Sequence, residues 1–239
     1  MPIHTLKLLA KREAAQNVFV FTFTKPDNFI FKPGQYGGFT LIQPSETDTN
    51  GITRRFSLLS SPHDPHLEIA TRIQHLNTAF KRELNRLTIG SEIKFAGPTG
   101  LFTLHEDKTK PAVFIAGGIG IVPFHSMIKT LTLDHASQTI YLFYGNQSIQ
   151  ETAFLNELTD WQKQNPNFQL ILTIANPPSQ WKGETGFITN TVIKKYISNL
   201  DLPIYYICGS PAMVTTLQET LAEMEINEDN IKVEDFPGY

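Results

Sequence analysis

The sequence predicts two domains, an antiparallel β domain followed by an α/β domain built on a parallel sheet. The N-terminal half carries many short strand-like runs separated by Gly and Pro, a pattern typical of a barrel or a sandwich. The C-terminal half alternates short apolar runs with helical patterns, which indicates a parallel sheet with helices on both faces. The chain has 239 residues, enough for two modest domains.

The first half is dominated by strand-forming residues. A run rich in Val and Phe at residues 18–23 ends at the turn signal of residues 25–28. A second turn signal, at residues 32–35, precedes an expected strand at 36–42. The remaining expected elements are strands at 67–73 and 92–96 and a helix at 79–87.

The second half has the alternating rhythm of strand and helix. Strands are expected at 112–116, 140–144, 170–175, 204–208 and 231–233. Helices are expected from Pro123 onward, over 154–161, and near 189–197 and 212–224. Residues 106–110 form a polar, charged stretch. Domain boundaries typically fall in such stretches, because few contacts join the two sides, so we place the two domains at residues 1–106 and 107–239.

The composition narrows the classes of function. Hydrophobic residues make up 41% and charged residues 18%, an ordinary globular profile, and the net charge of -3 gives no electrostatic reason to expect nucleic acid as a partner. The single cysteine, Cys208, excludes an internal disulfide and a four-thiolate iron–sulfur cluster, so we expect no metal site. No signal peptide and no apolar run of about 18 residues is evident, so we expect a cytoplasmic protein without membrane insertion.

Two glycine-containing turns each follow an apolar strand and open a helix. In the first, residues 117–123 combine Gly117, Gly118 and Gly120 with Pro123, so that free N–H groups at a helix start could face a pyrophosphate. One such turn is more often a plain tight turn than a nucleotide site. A second turn at residues 208–213 weakens that alternative, because both turns lie at carboxyl ends of predicted parallel strands, where ligands bind.

Four motifs, taken together, resemble the ferredoxin–NADP reductase type of flavoprotein. Residues 54–57 (Arg-Arg-Phe-Ser) resemble the flavin-binding R-x-[YF]-S motif, and residues 97–100 resemble the G-P-x-G that closes the flavin domain. Residues 117–123 resemble the G-G-x-G-x-x-P nucleotide loop, and residues 208–213 are similar to C-G-P-P-x-M. The resemblance implies an antiparallel flavin-binding barrel followed by a nucleotide-binding domain with a five-stranded parallel sheet.

The resemblance also implies flavin-binding roles for the first domain. Arg54 would pair with the flavin phosphate, Phe56 would lie against the isoalloxazine ring, and Ser57 would place its hydroxyl near N5. As alternatives, Arg54 is a surface arginine, Phe56 a core residue and Ser57 a solvated strand residue. A second pyrophosphate contact is expected at the start of the helix, from Asn77, Thr78 and Ala79, although Thr78 would also serve simply as an N-cap.

In the second domain the resemblance implies dinucleotide contacts. The residues expected to bind the cofactor are Gly117, Gly118, Gly120, Pro123, Gly209 and Met213. Cys208 would lie near the nicotinamide and shape the hydride pocket, or else be a buried small hydrophobe. Tyr239 would cover the flavin, or else belong to a frayed terminus. Gln147 and Ser148 occupy positions where an arginine would be expected to bind the 2′-phosphate of NADPH, and its absence there favours NADH over NADPH.

The resulting hypothesis is a reductase that transfers a hydride from NAD(P)H to bound FAD, rather than FMN, and passes electrons to a separate acceptor. The catalytic residues would be Ser57, Cys208 and Tyr239, and the acceptor an unidentified redox partner or a small molecule. Three alternatives stay open. The chain could be a non-catalytic flavin- and nucleotide-binding subunit, a nucleotide-binding module without flavin, or the reductase component of an oxygenase.

Overall fold

The computed structural model describes residues 2–74 and 78–236. The first part of the chain forms a six-stranded sheet of order β4-β3-β6-β1-β2-β5, in which the strand pairs are antiparallel. Its elements are β1 (Ile3–Ala15), β2 (Val18–Thr24), β3 (Tyr36–Leu41), β4 (Thr53–Ser57), β5 (His66–Arg72), β6 (Glu92–Thr99) and helix α1 (Ala79–Arg86). The expected antiparallel domain is confirmed.

Aromatic residues on alternate positions of these strands build the core of the first domain. In β2, Phe21 and Phe23 are completely buried, and Phe39 of β3 contacts Phe95 of β6 with ring centroids 5.0 Å apart. Successive side chains of a strand point to opposite faces, so this spacing turns one face of the sheet inward. Helix α1 contributes Phe80 and Leu84 to the same cluster, which fixes α1 against the sheet.

The second part is a parallel sheet of order β10-β9-β8-β7-β11-β12. Its strands are β7 (Ala112–Gly117), β8 (Ile140–Asn146), β9 (Phe168–Ile174), β10 (Glu184–Thr185), β11 (Ile204–Gly209) and β12 (Ile231–Asp235). Its helices are α2 (Ile121–Leu133), α3 (Leu155–Gln164), α4 (Asn190–Tyr196) and α5 (Pro211–Glu223). The parallel sheet is confirmed, with six strands among the described residues instead of five, because the two-residue β10 pairs with β9.

The strand order places the two glycine-containing turns side by side. The chain passes from β7 outward to β8 on one side, and β11 pairs with β7 on the other side. The carboxyl ends of β7 and β11 are therefore neighbours, and α2 and α5 begin there. This is the switch point at which open α/β sheets bind ligands.

Helix α2 also packs against the first domain. The Ser126 hydroxyl donates to the Ser60 carbonyl at 2.5 Å, and Nδ1 of His125 lies 3.1 Å from the Leu59 carbonyl oxygen. Apolar residues of both domains share one buried cluster around α2. The N-terminal end of α2 is thereby fixed next to β4 and β5.

Within residues 2–74 and 78–236, none of the helices has the length and apolar character needed to cross a membrane. The boundary between residues 106 and 107 stays a prediction. It falls in the connection between β6 and β7, where the His105 ring lies 2.8 Å from the hydroxyl of Tyr206 in β11.

Candidate functional site

A cavity of about 330 Å³ lies between the two domains. The first domain lines it with strands β3, β4 and β5 and helix α1, while the second contributes the start of α2 and the end of β12. The lining residues are Tyr36, Arg55, Phe56, Ser57, Ala70, Thr71, Lys81, Ile119, Val122, Glu234, Asp235 and Phe236. The cavity therefore brings together the predicted flavin motif and the end of the predicted nucleotide loop.

Ser57 ends β4 at the wall of this cavity. Its hydroxyl donates a hydrogen bond of 3.1 Å to Oε2 of Glu234 in β12. Burial raises the pKa of Glu234 to about 7, with a smaller contribution from the charge of Asp235, while the bond from Ser57 acts in the opposite direction. The pair can hold a proton inside the cavity at neutral pH.

Arg54 is buried, and its guanidinium is held within its own loop. It pairs with the carboxylate of Asp48 and donates to the carbonyl oxygens of Asn50, Gly51 and Thr53, each at 2.9 Å. Arg54 is not among the described residues that line the cavity. Its predicted role as phosphate ligand stays a prediction.

Phe56 belongs both to the core and to the cavity. Its ring lies 5.8 Å from the ring of Phe39 and 5.8 Å from that of Phe80, and only 9% of the residue is exposed. The same residue lines the cavity. The two interpretations of Phe56 are therefore compatible, and its contact with a flavin ring stays a prediction.

The start of α1 agrees with the simpler interpretation of Thr78. Thr78 is the N-cap, and its side chain accepts a hydrogen bond of 3.4 Å from the backbone N–H of Lys81. Ala79 is buried in the first turn, whereas Asn77 lies outside the described residues. The structure adds Lys81, whose side chain lines the cavity.

The glycines of the first loop are required for different structural reasons, two by close contacts and one by its backbone conformation. A Cβ on Gly117 would lie 2.0 Å from Sδ of Met213, and one on Gly120 would lie 2.2 Å from the carbonyl oxygen of Cys208. Gly118 adopts a positive φ of 51° and has no atom closer than 3.7 Å to its Cβ position. Gly117 and Gly120 thus allow the two loops to touch, and Gly118 provides the turn.

The second loop begins α5 with a regular cap. The Ser210 side chain accepts from the N–H of Met213, and Pro211 occupies the first helical position. Met213 packs over Gly117 and Gly209. At the start of α2, Pro123 is buried in the first turn. The backbone N–H groups at both helix starts therefore lie at the same sheet edge.

Cys208 is fully buried and does not line the cavity. Burial raises the pKa of its thiol well above the ordinary value, and the charges of Glu234 and Asp235 add to this effect. Such a thiol is a poor nucleophile. The structure places Cys208 beneath the site, paired in register with Ala116 on one side and Glu234 on the other.

Several residues of the cavity received little or no weight in the sequence analysis, among them Tyr36, Lys81, Glu234 and Phe236. Phe236 lines the cavity, and its N–H donates to the Gly209 carbonyl oxygen at 2.9 Å, whereas Tyr239 lies outside the described residues. The one available signal was position, since Glu234 and Phe236 follow the last expected strand at the edge where the glycine turns lie. Nothing in the local pattern distinguished Lys81 from other helix lysines.

Comparison with known proteins decides the family of the second domain. Residues 114–219 match the family model described as oxidoreductase NAD-binding domain. The chain carries an oxidoreductase NAD-binding domain. This oxidoreductase domain contains both glycine turns, and the resemblance to the ferredoxin–NADP reductase type is confirmed.

Two relatives match the chain over more residues than the family model does. A subunit of the Na(+)-translocating NADH-quinone reductase of Methylococcus capsulatus is 34% identical over 155 residues, which is 62% of this chain and 38% of that protein. The phenol hydroxylase P5 protein of Acinetobacter pittii is 32% identical over 209 residues, 86% of this chain and 58% of that protein. The chain thus spans less than two thirds of each relative.

Solved structures share the fold of this chain. The FAD/NAD-binding domain of a nitric oxide dioxygenase from Vibrio cholerae superposes with a TM-score of 0.83 at 19% identity, covering 97% of this chain and 98% of that one. A cytochrome P450 reductase of Amycolatopsis gives a TM-score of 0.84 at 22% identity, covering 100% of this chain and 72% of that one. Both domains of the chain are therefore matched in fold.

Proposed function

We propose that this chain is a flavin-dependent reductase that takes a hydride from NAD(P)H and passes electrons to a separate acceptor. The observation that carries this proposal is the cavity in which Ser57 of the flavin motif meets Glu234, next to the start of α2. A bound flavin would supply a hydride acceptor that can release electrons one or two at a time. The chain's own residues would bind and orient the flavin and the dinucleotide and would hold a proton beside them.

The residues of the cavity fit a flavin. The cavity volume of about 330 Å³ lies in the range of small-molecule sites. Tyr36, Phe56 and Phe236 provide aromatic surface for a planar ring system, and Arg55 and Lys81 provide positive charge for a phosphate. FAD is the flavin that we propose.

Ser57 and Glu234 are proposed to control a proton. The Ser57 hydroxyl is oriented by its bond to Oε2 of Glu234, and a carboxyl with a pKa of about 7 is partly protonated at physiological pH. The pair can therefore donate or accept a proton at the hydroxyl oxygen of Ser57. Cys208 acts in this proposal as a buried packing residue beneath the pair.

The helix starts at β7 and β11 are proposed to bind the dinucleotide. Free N–H groups at the starts of α2 and α5 suit its pyrophosphate. At the end of β8, the Gln147 side-chain oxygen accepts from the Asn176 side chain at 3.3 Å. This neutral amide pair offers no positive charge to a 2′-phosphate, which supports NADH as the donor.

The acceptor is proposed to be a partner protein. One relative is by name a subunit of an NADH-quinone reductase, and another is the P5 protein of phenol hydroxylase. Because Cys208 is the only cysteine among residues 1–239, these residues do not themselves hold a four-thiolate cluster.

Flavin binding and reduction test the proposal. The purified protein is titrated with FAD and FMN and then mixed with NADH without oxygen. We expect the visible flavin absorbance to bleach, and turnover with NADH to exceed that with NADPH across a panel of acceptors. Absence of flavin binding contradicts the proposal. Bound flavin that NADH and NADPH both fail to reduce favours a non-catalytic role instead.

A further inference from the structure

The hydroxyl of Tyr144 connects β8 to the first glycine turn. Tyr144 is fully buried near the carboxyl end of β8, and its hydroxyl donates a hydrogen bond of 3.2 Å to the carbonyl oxygen of Gly118. Burial raises the pKa of this phenol, so the hydroxyl keeps its proton at neutral pH and acts as a donor. A side chain from inside the sheet therefore reaches the loop that follows β7.

The carbonyl oxygen of Gly118 has a second donor. The backbone N–H of Ile121, at the start of α2, also bonds to it. A carbonyl oxygen has two lone pairs, so these two donors satisfy it and fix the peptide group between Gly118 and Ile119. Gly118 has a positive φ of 51°, and a glycine backbone has several conformations of similar energy. The bond from Tyr144 selects one of them.

The selected orientation decides where the N–H of Ile119 points. In a trans peptide the C=O group and the following N–H group point in opposite directions. Because the Gly118 carbonyl is directed at the buried hydroxyl of Tyr144, the N–H of Ile119 is directed away from it. Ile119 itself lines the cavity between the domains. The first N–H groups of a helical segment have no partner inside it and suit an anion.

We propose that Tyr144 is a positioning residue for the dinucleotide, whose hydroxyl holds the peptide after Gly118 so that the N–H of Ile119 is available to the pyrophosphate. This assignment rests on the nicotinamide-dependent function proposed above, and it adds a residue that none of the sequence motifs names. Tyr144 acts through the loop, since it is fully buried and is not among the described residues that line the cavity.

A second buried tyrosine provides a matched control. Tyr205 of β11 is also fully buried, and its hydroxyl donates to the carbonyl oxygen of Leu200 at 2.9 Å. Tyr205 lies near the amino end of its strand, at the edge of the sheet opposite the glycine turns. Replacing either tyrosine with phenylalanine removes one buried hydrogen bond and keeps the ring. A purely structural role predicts the same consequences for both variants, whereas positioning predicts weaker dinucleotide binding for Tyr144→Phe alone.

The test combines kinetics with binding. In the flavin-loaded wild type, Tyr144→Phe and Tyr205→Phe, kcat and KM for NADH are measured with ferricyanide as acceptor, and the Kd of ADP-ribose is measured by calorimetry. We expect Tyr144→Phe to raise the KM for NADH and the Kd of ADP-ribose roughly threefold to tenfold, the effect of one hydrogen bond, with kcat changed by less than about twofold. Tyr205→Phe should leave all three quantities within about twofold of the wild type, although both variants should unfold at lower urea concentration.

ADP-ribose separates binding from hydride transfer, because it has the pyrophosphate and lacks the nicotinamide. An unchanged KM and ADP-ribose affinity in Tyr144→Phe overturns the assignment. So does an equal loss in Tyr205→Phe, which would make the effect a general consequence of a weakened sheet, and so does a fall in kcat alone. A wild type that binds neither NADH nor ADP-ribose overturns the proposed function itself, and this assignment with it.

Discussion

The hydroxyl of Ser57 in β4 donates a 3.1 Å hydrogen bond to Oε2 of Glu234 in β12, joining the two domains across 177 positions of the chain. Parallel pairing of β11 and β12 puts Glu234 level with Cys208, at the edge where both glycine turns lie. The sheet of one domain therefore delivers a titratable carboxyl to the flavin motif of the other. This carboxyl has a measurable consequence for stability.

Glu234→Gln is expected to remove a pH dependence of folding. Burial raises the pKa of Glu234 from 4.5 to about 7, so the folded state holds this proton more tightly than the unfolded state. The resulting stabilisation is complete below about pH 4.5 and is lost as the pH rises through about 7, a change of up to about 3 kcal/mol. Glutamine stays neutral, so the variant should gain stability over the wild type as the pH rises.

Urea unfolding of both proteins at about pH 5 and about pH 8 measures this gain. The exposed Glu223→Gln, at the end of α5, is a matched control that should follow the wild type at both values. Parallel pH dependences for wild type and Glu234→Gln would show that the carboxyl is ionised throughout, contrary to the expectation.

The two loop glycines Gly120 and Gly118 should respond differently to alanine. A Cβ at Gly120 would lie 2.2 Å from the backbone carbonyl oxygen of Cys208, so the two loops must separate, at a cost of about 1–3 kcal/mol or more. At Gly118 the neighbouring space is open, and the cost is that of a left-handed alanine, about 1 kcal/mol. We expect the larger loss of unfolding free energy from Gly120→Ala.

Urea denaturation of both alanine variants gives the comparison. NADH affinity, measured in parallel, should fall more for Gly120→Ala, because the helix starts of α2 and α5 move apart. Equal losses in both variants would mean that the loop contact with Cys208 adjusts at little cost.

The sequence predicted those elements that are long enough to show a clear hydrophobic pattern. The strands β7, β8, β9 and β11 lie where apolar runs placed them, since a buried parallel strand is apolar on both faces. The two-residue β10 was not predicted, because Glu184 and Thr185 are too few to show a hydrophobic periodicity and form a strand only by pairing with β9. Tertiary contact, not local pattern, created the sixth strand.

The site was predictable where a motif names its residues and less so where the fold assembles them. Ser57 and Phe56, which the flavin motif names, line the cavity, and their contacts with a flavin stay predictions. Lys81 is a lysine in an amphipathic helix, and only the packing of α1 turns it towards the cavity. The partner of Arg54 was equally hidden, because the Asp48 carboxylate reaches it through the shape of the loop between β3 and β4. Asn77 and Tyr239 lie outside the described residues, so their roles stay predictions.

Gln147→Arg is expected to shift the donor preference towards NADPH. Gln147 stands just beyond β8 with its side chain bonded to Asn176, and an arginine there would offer a bidentate cation to a 2′-phosphate. We expect the ratio of kcat/KM for NADPH to that for NADH to rise roughly tenfold, since charge-assisted bonds contribute about 1.5–3 kcal/mol.

Steady-state turnover with both nucleotides measures this ratio. Gln147→Met removes the amide without adding charge and serves as the control, which should leave the preference for NADH. An unchanged ratio in Gln147→Arg would place the 2′-phosphate away from the end of β8.

Asp48→Asn should destabilise the protein. The substitution removes a charged acceptor from the buried guanidinium of Arg54, which is expected to cost about 1–3 kcal/mol of unfolding free energy. The control is Glu46→Gln, on the same loop, whose carboxylate pairs with the more exposed Arg82 and Arg86 and should matter less. Urea unfolding measures both variants. A loss of unfolding free energy for Asp48→Asn that is no larger than that for Glu46→Gln would show that the buried pair of Asp48 and Arg54 contributes no more than the exposed pairs of Glu46 do, contrary to the expectation.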